Sequence, residues 1–334
     1  MYKNIVQKNY FLFTISLLSF SAHCTENLDQ FYSTSFLKNY TTVNKTLKEY
    51  GFIDVSFKTA DNLTLSGLFL SRPNATCNVI VCAGFFPGKK EGMATFYSLL
   101  PDYCNIFLFD ARGRGSSEGP FLRNVWRYGI HEHEDISGAI SWINKKNTLP
   151  IIIGGTCCGV FNAAHALINL KNNNTLAQSR VKGLFFDSGW GSVMTMSQSS
   201  AIANIKKYIS RTIAFFYGTK KKVEQRALYK LSFTLIHRCF KIGHFMCARP
   251  LVMPYEKETN LFDKIDQISL PIFFIHSYDD THADITNAIK LSQRAPNSQC
   301  WWIEKSSHAK HYLIHKDLYK EKLSAFIESL IQYK

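Results

Sequence analysis

The chain has 334 residues, 46% hydrophobic and 19% charged: enough apolar material for a large core, and too few charges for a disordered or fibrous protein. Its formal net charge is +14, and much of the excess is local, because between Trp190 and Pro254 eleven Lys or Arg stand against one acid, Glu224. No fixed-period repeat or low-complexity linker divides it, so one large α/β domain with an insertion is expected.

Residues 1–24, "MYKNIVQKNYFLFTISLLSFSAHC", place Lys3 and Lys8 before an apolar run from Tyr10 to Phe20 that ends in small residues. That is the layout of a secretory signal peptide, and it predicts export to a periplasm or the medium. The run is about half the roughly 20 apolar residues of a membrane span. The alternative is attachment to a membrane through this N-terminal segment. Lipidation at Cys24 is one form of it, although His23 is a poor fit to the small residue such processing requires.

Nine cysteines follow from Cys24 to Cys300, and outside the cytosol some of them should pair. None has the Cys/His spacing of a zinc site, so neither metal nor cofactor is expected.

Residues 27–50 read as a helical lead-in to a domain spanning 27–334. The runs Phe52 to Lys58 and Leu63 to Leu70, joined through Asp61-Asn62, predict a β-hairpin. "NVIVCAGFFPGKKEG" follows, a continuous apolar run like a strand buried on both faces. Helix and strand then alternate: helix Glu91 to Leu99, strand Ile106 to Asp110, helix Glu132 to Lys145, strand Ile151 to Gly154, helix Val160 to Leu170 and strand Gly183 to Asp187. After the basic insertion come strand Ile272 to His276, helix Ala283 to Ser292, strand Cys300 to Ile303 and a last helix from about Lys316 to Ile331. Eight strands in this order predict a mostly parallel, doubly wound sheet with an antiparallel start. Reactive groups should then gather beyond the strands' carboxyl ends.

One such loop is "GGTCCG", where Gly155 and Gly159 flank Cys157 at two residues on either side. This is the Gly-x-nucleophile-x-Gly form of a tight strand-to-helix turn, which needs small residues at both flanking positions. Centring on Cys158 would put Thr156 and Val160 there, so the register selects Cys157. The Cys158 N–H then lies at a helix start, suited to a developing oxyanion. The bland reading of both cysteines is small, well-packed residues at a βα junction.

A thiol nucleophile needs a base and an acid to orient it. "IHSYDDTHAD" offers Asp280, with Asp279 as its neighbour and rival, and "EKSSHAKHYL" offers His308. Asp187, ending the strand in "LFFDSGW", is a second rival whose plain reading is a helix cap. His311 and His315 would share a helix face with His308, a surface in the plain reading. The second oxyanion donor is expected after the strand Val79 to Cys82, at the Phe85 N–H beside Ala83-Gly84. Asp110 and Arg112 of "LFDARGRGSSEG" read as turn braces, and the glycines there open no helix, so a dinucleotide site is not expected.

Together "VIVCAGFFPGKKEGM", "LFDARGRGSSEG", "GGTCCG", "IHSYDD" and "SSHAKHYL" resemble the α/β hydrolases, in the broad group of serine aminopeptidases, lysophospholipase-like esterases and dienelactone hydrolases. The resemblance implies an α/β-hydrolase fold with a Cys157, His308 and Asp280 triad and an oxyanion hole at Phe85 and Cys158. Ala83 replaces the histidine usual before the glycine. Most relatives carry serine where this chain has Cys157, and dienelactone hydrolases are similar to it in using cysteine. The remaining pattern is nearer the esterases and aminopeptidases.

The insertion at about 191–260 sits where such hydrolases carry a helical cap. "AIANIKKYISRTIAFFYG" and "LYKLSFTLIHRCFKIG" read as amphipathic helices with basic faces. They fit a lid over a small acyl substrate, anionic or lipid-like, with peripheral contact to an anionic membrane; a solvated basic face is the plain alternative. Nucleic acid is not an expected partner. The implied activity is hydrolysis of a carboxylic ester or thioester through an acyl-enzyme. A peptidase of the same architecture and a catalytically silent binding protein are the alternatives.

Overall fold

The computed structural model describes residues 47–84, 90, 93, 96, 98–119, 129–196, 198–199 and 254–332. The expected signal segment 1–24, the lead-in up to residue 46, Phe85, most of the helix expected over Glu91 to Leu99, and the insertion from 200 to 253 lie outside them. The chain divides into Met1–Gly51 and Phe52–Lys334. In the first unit the described residues end in a turn where Gly51 N–H donates to the Lys48 carbonyl at 3.0 Å.

Among the described residues of the second unit, eight strands form one sheet: β1 (Ile53–Lys58), β2 (Thr64–Leu70), β3 (Cys77–Cys82), β4 (Cys104–Phe109), β5 (Ile151–Thr156), β6 (Val181–Asp187), β7 (Ile272–Ser277) and β8 (Ser298–Ile303). Their spatial order is β1-β2-β4-β3-β5-β6-β7-β8. β1 pairs antiparallel with β2, and β2 with β4; every pairing from β4 to β8 is parallel. The expected eight-stranded, mostly parallel sheet with an antiparallel start is therefore what the chain forms.

The burial of each strand follows its sequence. β1 is one of the two outer strands, with a largely exposed pattern, whereas β3, β4, β5 and β7 are buried at every position, matching their continuous apolar runs. Four helices of ten or more residues alternate with the strands among the described residues: α1 (His133–Lys146), α2 (Cys158–Asn172), α3 (Ile285–Arg294) and α4 (Lys316–Gln332). α2 is the central one. Its Ala163, Ala164, Ala166 and Leu167 are buried, and the small side chains let it lie close to the sheet. Near the antiparallel end, Phe107 packs against Phe57, Phe69 and Trp142, with ring centroids 4.9 to 6.3 Å apart.

The chain leaves β3 toward β4 on one side and later returns to β5 on the other. The carboxyl ends of β3 and β5 therefore flank a topological switch point, the place where open α/β sheets leave a crevice. Gly84 follows the first of these strands and Cys157 the second.

Candidate active site

Cys157 lies between the last residue of β5 and the first of α2 with φ 62° and ψ −127°, a backbone conformation that an L-residue holds only under constraint. The constraint is visible. Cys157 N–H donates to the Asp187 carbonyl at the end of β6 at 2.8 Å. Gly155, at φ 139°, presses against the Cys82 carbonyl so closely that a Cβ there would overlap it. A Cβ on Gly159 would come within 2.5 Å of the Cys82 oxygen and 2.6 Å of that of Ala83. Both flanking glycines are thus required by the end of β3, as the Gly-x-Cys-x-Gly spacing predicts. Gly84 completes the contact, since a Cβ on it would stand 2.9 Å from the Cys157 Cβ and 3.4 Å from its sulfur.

His308 lies in the loop after β8, and its Nδ1 is 2.8 Å from Asp280 Oδ2 in the loop after β7. The other Asp280 oxygen accepts from the N–H groups of His282 and Ala283 at 2.8 and 2.9 Å. With Nδ1 committed to the carboxylate, the other ring nitrogen is left for the Cys157 sulfur, with which His308 also hydrogen-bonds. Cys157, His308 and Asp280, predicted from three separate loops, are therefore brought together.

Electrostatics couple the three. Burial alone would depress the His308 imidazole, but the charge and hydrogen bond of the Cys157 sulfur, with those of Asp280, outweigh it and raise it to about 10. Burial likewise pushes the Asp280 carboxyl up, and the hydrogen bond and charge of His308 bring it below its usual value. His276, fully buried on β7, sits 3.5 Å from Asp280 Oδ2 while its Nε2–H donates to the Ala283 carbonyl at 2.8 Å. Burial holds this second imidazole below its ordinary value.

The rivals take other places. Asp279 Oδ2 accepts from the Lys305 N–H at 2.7 Å, joining the β7 and β8 loops as a turn residue. Asp187 neither caps a helix nor reaches His308. Its carboxylate accepts from Ser188 Oγ at 2.7 Å and Tyr319 OH at 3.0 Å, in a fully buried cluster with His311. His311 is a correction: a surface position in the plain sequence reading, it is 0% exposed, with Nε2 2.8 Å from Ser188 Oγ and Nδ1 2.7 Å from Ser306 Oγ. His315 is partly buried beyond it. Ser188 Oγ also accepts from the Ala309 N–H at 3.1 Å, so this cluster ties the His308 loop to the end of β6.

Sequence reasoning missed four contributors. The Trp190 ring lies 5.2 Å from the His308 ring on one side and that of His282 lies 5.4 Å away, the two joined by Trp190 Nε1–H donating to the His282 carbonyl at 3.1 Å. Arg114 donates to the Gly84 carbonyl at 2.9 Å, and Ser188 is the hub just described. Trp190 and Ser188 stand directly after Asp187, so the strand-end rule could have flagged them. The braces expected of Asp110 and Arg112 are present: Asp110 accepts from the Lys90 N–H at 2.7 Å and its ammonium at 3.1 Å, and Arg112 binds both Asp135 and Asp61.

Cys158 opens α2 directly behind Cys157, at the positive end of the helix dipole. Its sulfur points toward Met196 at 3.7 Å. No disulfide joins any two of Cys77, Cys82, Cys104, Cys157, Cys158 and Cys300 in the structure, where the sequence predicted pairing for some of the nine cysteines; Cys24, Cys239 and Cys247 lie outside the described residues. Among the described residues no group of three or more His, Cys, Asp or Glu could hold a metal ion, and no helix is long and apolar enough to cross a membrane.

The sheet order and the helices between the strands are those of the α/β-hydrolase fold. The chain is similar to the Pyrococcus furiosus esterase Pf2001 at 17% identity and a TM-score of 0.59, covering 86% of this chain and 95% of that one. It is similar to the α/β hydrolase GrgF from Penicillium sp. sh18 at 14% identity and a TM-score of 0.57, covering 84% and 99%. The proline iminopeptidase of Mycobacterium smegmatis shares 12% identity at a TM-score of 0.56, covering 84% and 99%. By sequence, the chain is 21% identical over 262 residues to the uncharacterized protein YqkD of Bacillus subtilis (strain 168), covering 77% of this chain and 73% of that protein. No protein-family model matches the chain.

Proposed function

We propose that the protein is an exported hydrolase of carboxylic esters or thioesters that works through a Cys157, His308 and Asp280 triad. The observation that carries this reading is the double contact of His308, with the Asp280 carboxylate at 2.8 Å and with the sulfur of Cys157 in its constrained turn. The α/β-hydrolase fold, shared with proteins named as esterases, supports it. A silent binding protein would not need that contact. The iminopeptidase likeness rests on the fold alone, and a strongly basic insertion does not suit recognition of a substrate amine.

The pair begins as thiolate and imidazolium. The thiolate attacks the acyl carbonyl carbon, and the oxygen's new charge is met by the Cys158 N–H and, in this proposal, that of Phe85. Collapse breaks the bond to the leaving oxygen or sulfur, which takes the proton from His308 and leaves a thioester on Cys157. His308 then takes a proton from water as the water attacks, and the acid departs as the thiolate is restored. A thiolate suits activated acyl groups better than amides. The basic insertion favours an anionic or lipid-like acyl substrate, with peripheral contact to an anionic membrane.

The test is incubation of folded, reduced protein with p-nitrophenyl esters and acyl thioesters of graded chain length, with Cys157→Ala and Cys157→Ser beside it. The expected result is an acyl mass on Cys157 and turnover that Cys157→Ala abolishes. No adduct and no hydrolysis across the series would overturn the proposal. N-terminal sequencing of protein recovered outside the cytosol tests export, which predicts loss of residues 1–24.

A further inference from the structure

Two thiols that the reaction does not use face each other at the far end of the sheet. Cys77 begins β3 and Cys104 begins β4, and the parallel register sets them directly opposite. Residues opposite each other leave a sheet on the same face. Their sulfurs are 3.4 Å apart, and both residues are 0% exposed.

Polar contacts on both sides lock that register. Thr76 N–H donates to the Tyr103 carbonyl at 2.8 Å just before the pair. Just after it, Asn105 Nδ2 donates to Asn78 Oδ1 at 3.0 Å, and Asn78 Nδ2 to Asn147 Oδ1 at 2.8 Å. Neighbouring strands run about 4.8 Å apart, inside the separation of about 4.4–6.8 Å between Cα atoms that a disulfide accepts. The two sulfurs need approach by only about 1.4 Å to reach bonding distance.

We propose that Cys77 and Cys104 are a disulfide-forming site, oxidised by a small-molecule or protein disulfide as the chain folds, while Cys157 remains a thiol. One thiolate attacks the oxidant's disulfide and releases one of its sulfurs as a thiol. The second cysteine, losing its proton, attacks the mixed disulfide, forms the Cys77–Cys104 bond and releases the other thiol. Two protein thiols are oxidised and one disulfide of the oxidant is reduced. Exchange belongs to folding rather than to the finished protein, because both sulfurs are buried once β3 and β4 close.

The same geometry separates this pair from Cys157 and Cys158. Those sulfurs are 3.9 Å apart, but a trans peptide fixes adjacent Cα atoms about 3.8 Å apart, below the usual disulfide range. The six residues of β3 put roughly 16 Å between Cys77 and Cys82, beside which Cys157 sits. Oxidation at one end therefore leaves the other unaltered.

The test needs no substrate. Full-length reduced protein is refolded with glutathione disulfide and glutathione, trapped with N-ethylmaleimide, digested without reduction and mapped by mass spectrometry. The expected result is a Cys77–Cys104 cross-linked peptide in most molecules, with Cys157 alkylated. The oxidised protein should melt about 5 °C higher than protein refolded with thiols reduced, a difference absent in Cys77→Ala and Cys104→Ala. Recovery of both residues as alkylated thiols from folded protein, or bonded to other cysteines, would overturn the proposal. The wild-type map decides the matter even where a variant fails to fold.

Discussion

Arg114 reaches from the loop after β4 to the carbonyl of Gly84, 2.9 Å away, and so fixes the backbone that lies against Cys157. Its guanidinium is buried with it, so shortening the side chain removes a charge-assisted bond that water cannot readily replace. Arg114→Leu should lower the acylation rate about tenfold or more with little change in KM. Arg114→Lys should recover part of it. Burst kinetics with an activated ester read both, and an unchanged rate in Arg114→Leu would remove the residue from any positioning role.

The glycines around Cys157 separate packing from reactivity. At Gly84 the atoms nearest an added Cβ are side-chain ones, of Cys157 and Thr156, so Gly84→Ala should fold and lose about a hundredfold in activity by crowding the sulfur. At Gly155 the added Cβ overlaps the Cys82 carbonyl and φ is 139°, so Gly155→Ala should cost about 3 kcal/mol or more in denaturant unfolding.

Alkaline stability should report the Cys157 and His308 pair. The imidazole's ordinary value is 6.5, and in the folded protein it is raised to about 10. The folded state therefore binds this proton more tightly than the unfolded state. The resulting stabilisation is complete below about 6.5 and is lost as pH rises through about 10. Cys157→Ala removes the leading raising influence, so its melting temperature should fall less steeply across that window than the wild type's.

The buried cluster behind His308 should be costly to break. Ser188→Ala takes an acceptor from the Ala309 N–H and a partner from both His311 and Asp187. A loss of about 1–3 kcal/mol is expected in urea unfolding. The residual folded enzyme should acylate more slowly, because the loop carrying His308 loses its tie to β6.

Much of this was legible in the sequence because the chemistry is local. Apolar runs such as "IIIGG" announce strands buried on both faces, and the glycine spacing singles out Cys157 as the residue of the tight turn without knowledge of its surroundings. Boundaries shifted: β5 runs on to Thr156 and α2 begins at Cys158, because the tight turn uses fewer residues than a propensity break suggests. Asp280 could be chosen over Asp279 only provisionally, since adjacent residues differ in direction, and direction is set by Lys305 and His308, which they meet at two points of the loop after β8. Arg114 was hidden for the same reason, and for Trp190 and Ser188 the strand-end rule could give the place but not the partners. Their partners lie 30, 118 and more than 120 residues away, and no local pattern encodes such a meeting.

The carbonyls of Cys82 and Ala83 stand where Cβ atoms on Gly155 and Gly159 would lie, and so hold both positions to glycine. The constraint that shapes this turn therefore falls on backbone and on the two flanking glycines, not on which atom the side chain between them carries. Exchanging sulfur for oxygen at this position alters reactivity by one atom and leaves the scaffold's steric demands as they were. A lineage on this backbone can cross between thiol and hydroxyl chemistry in a single codon step.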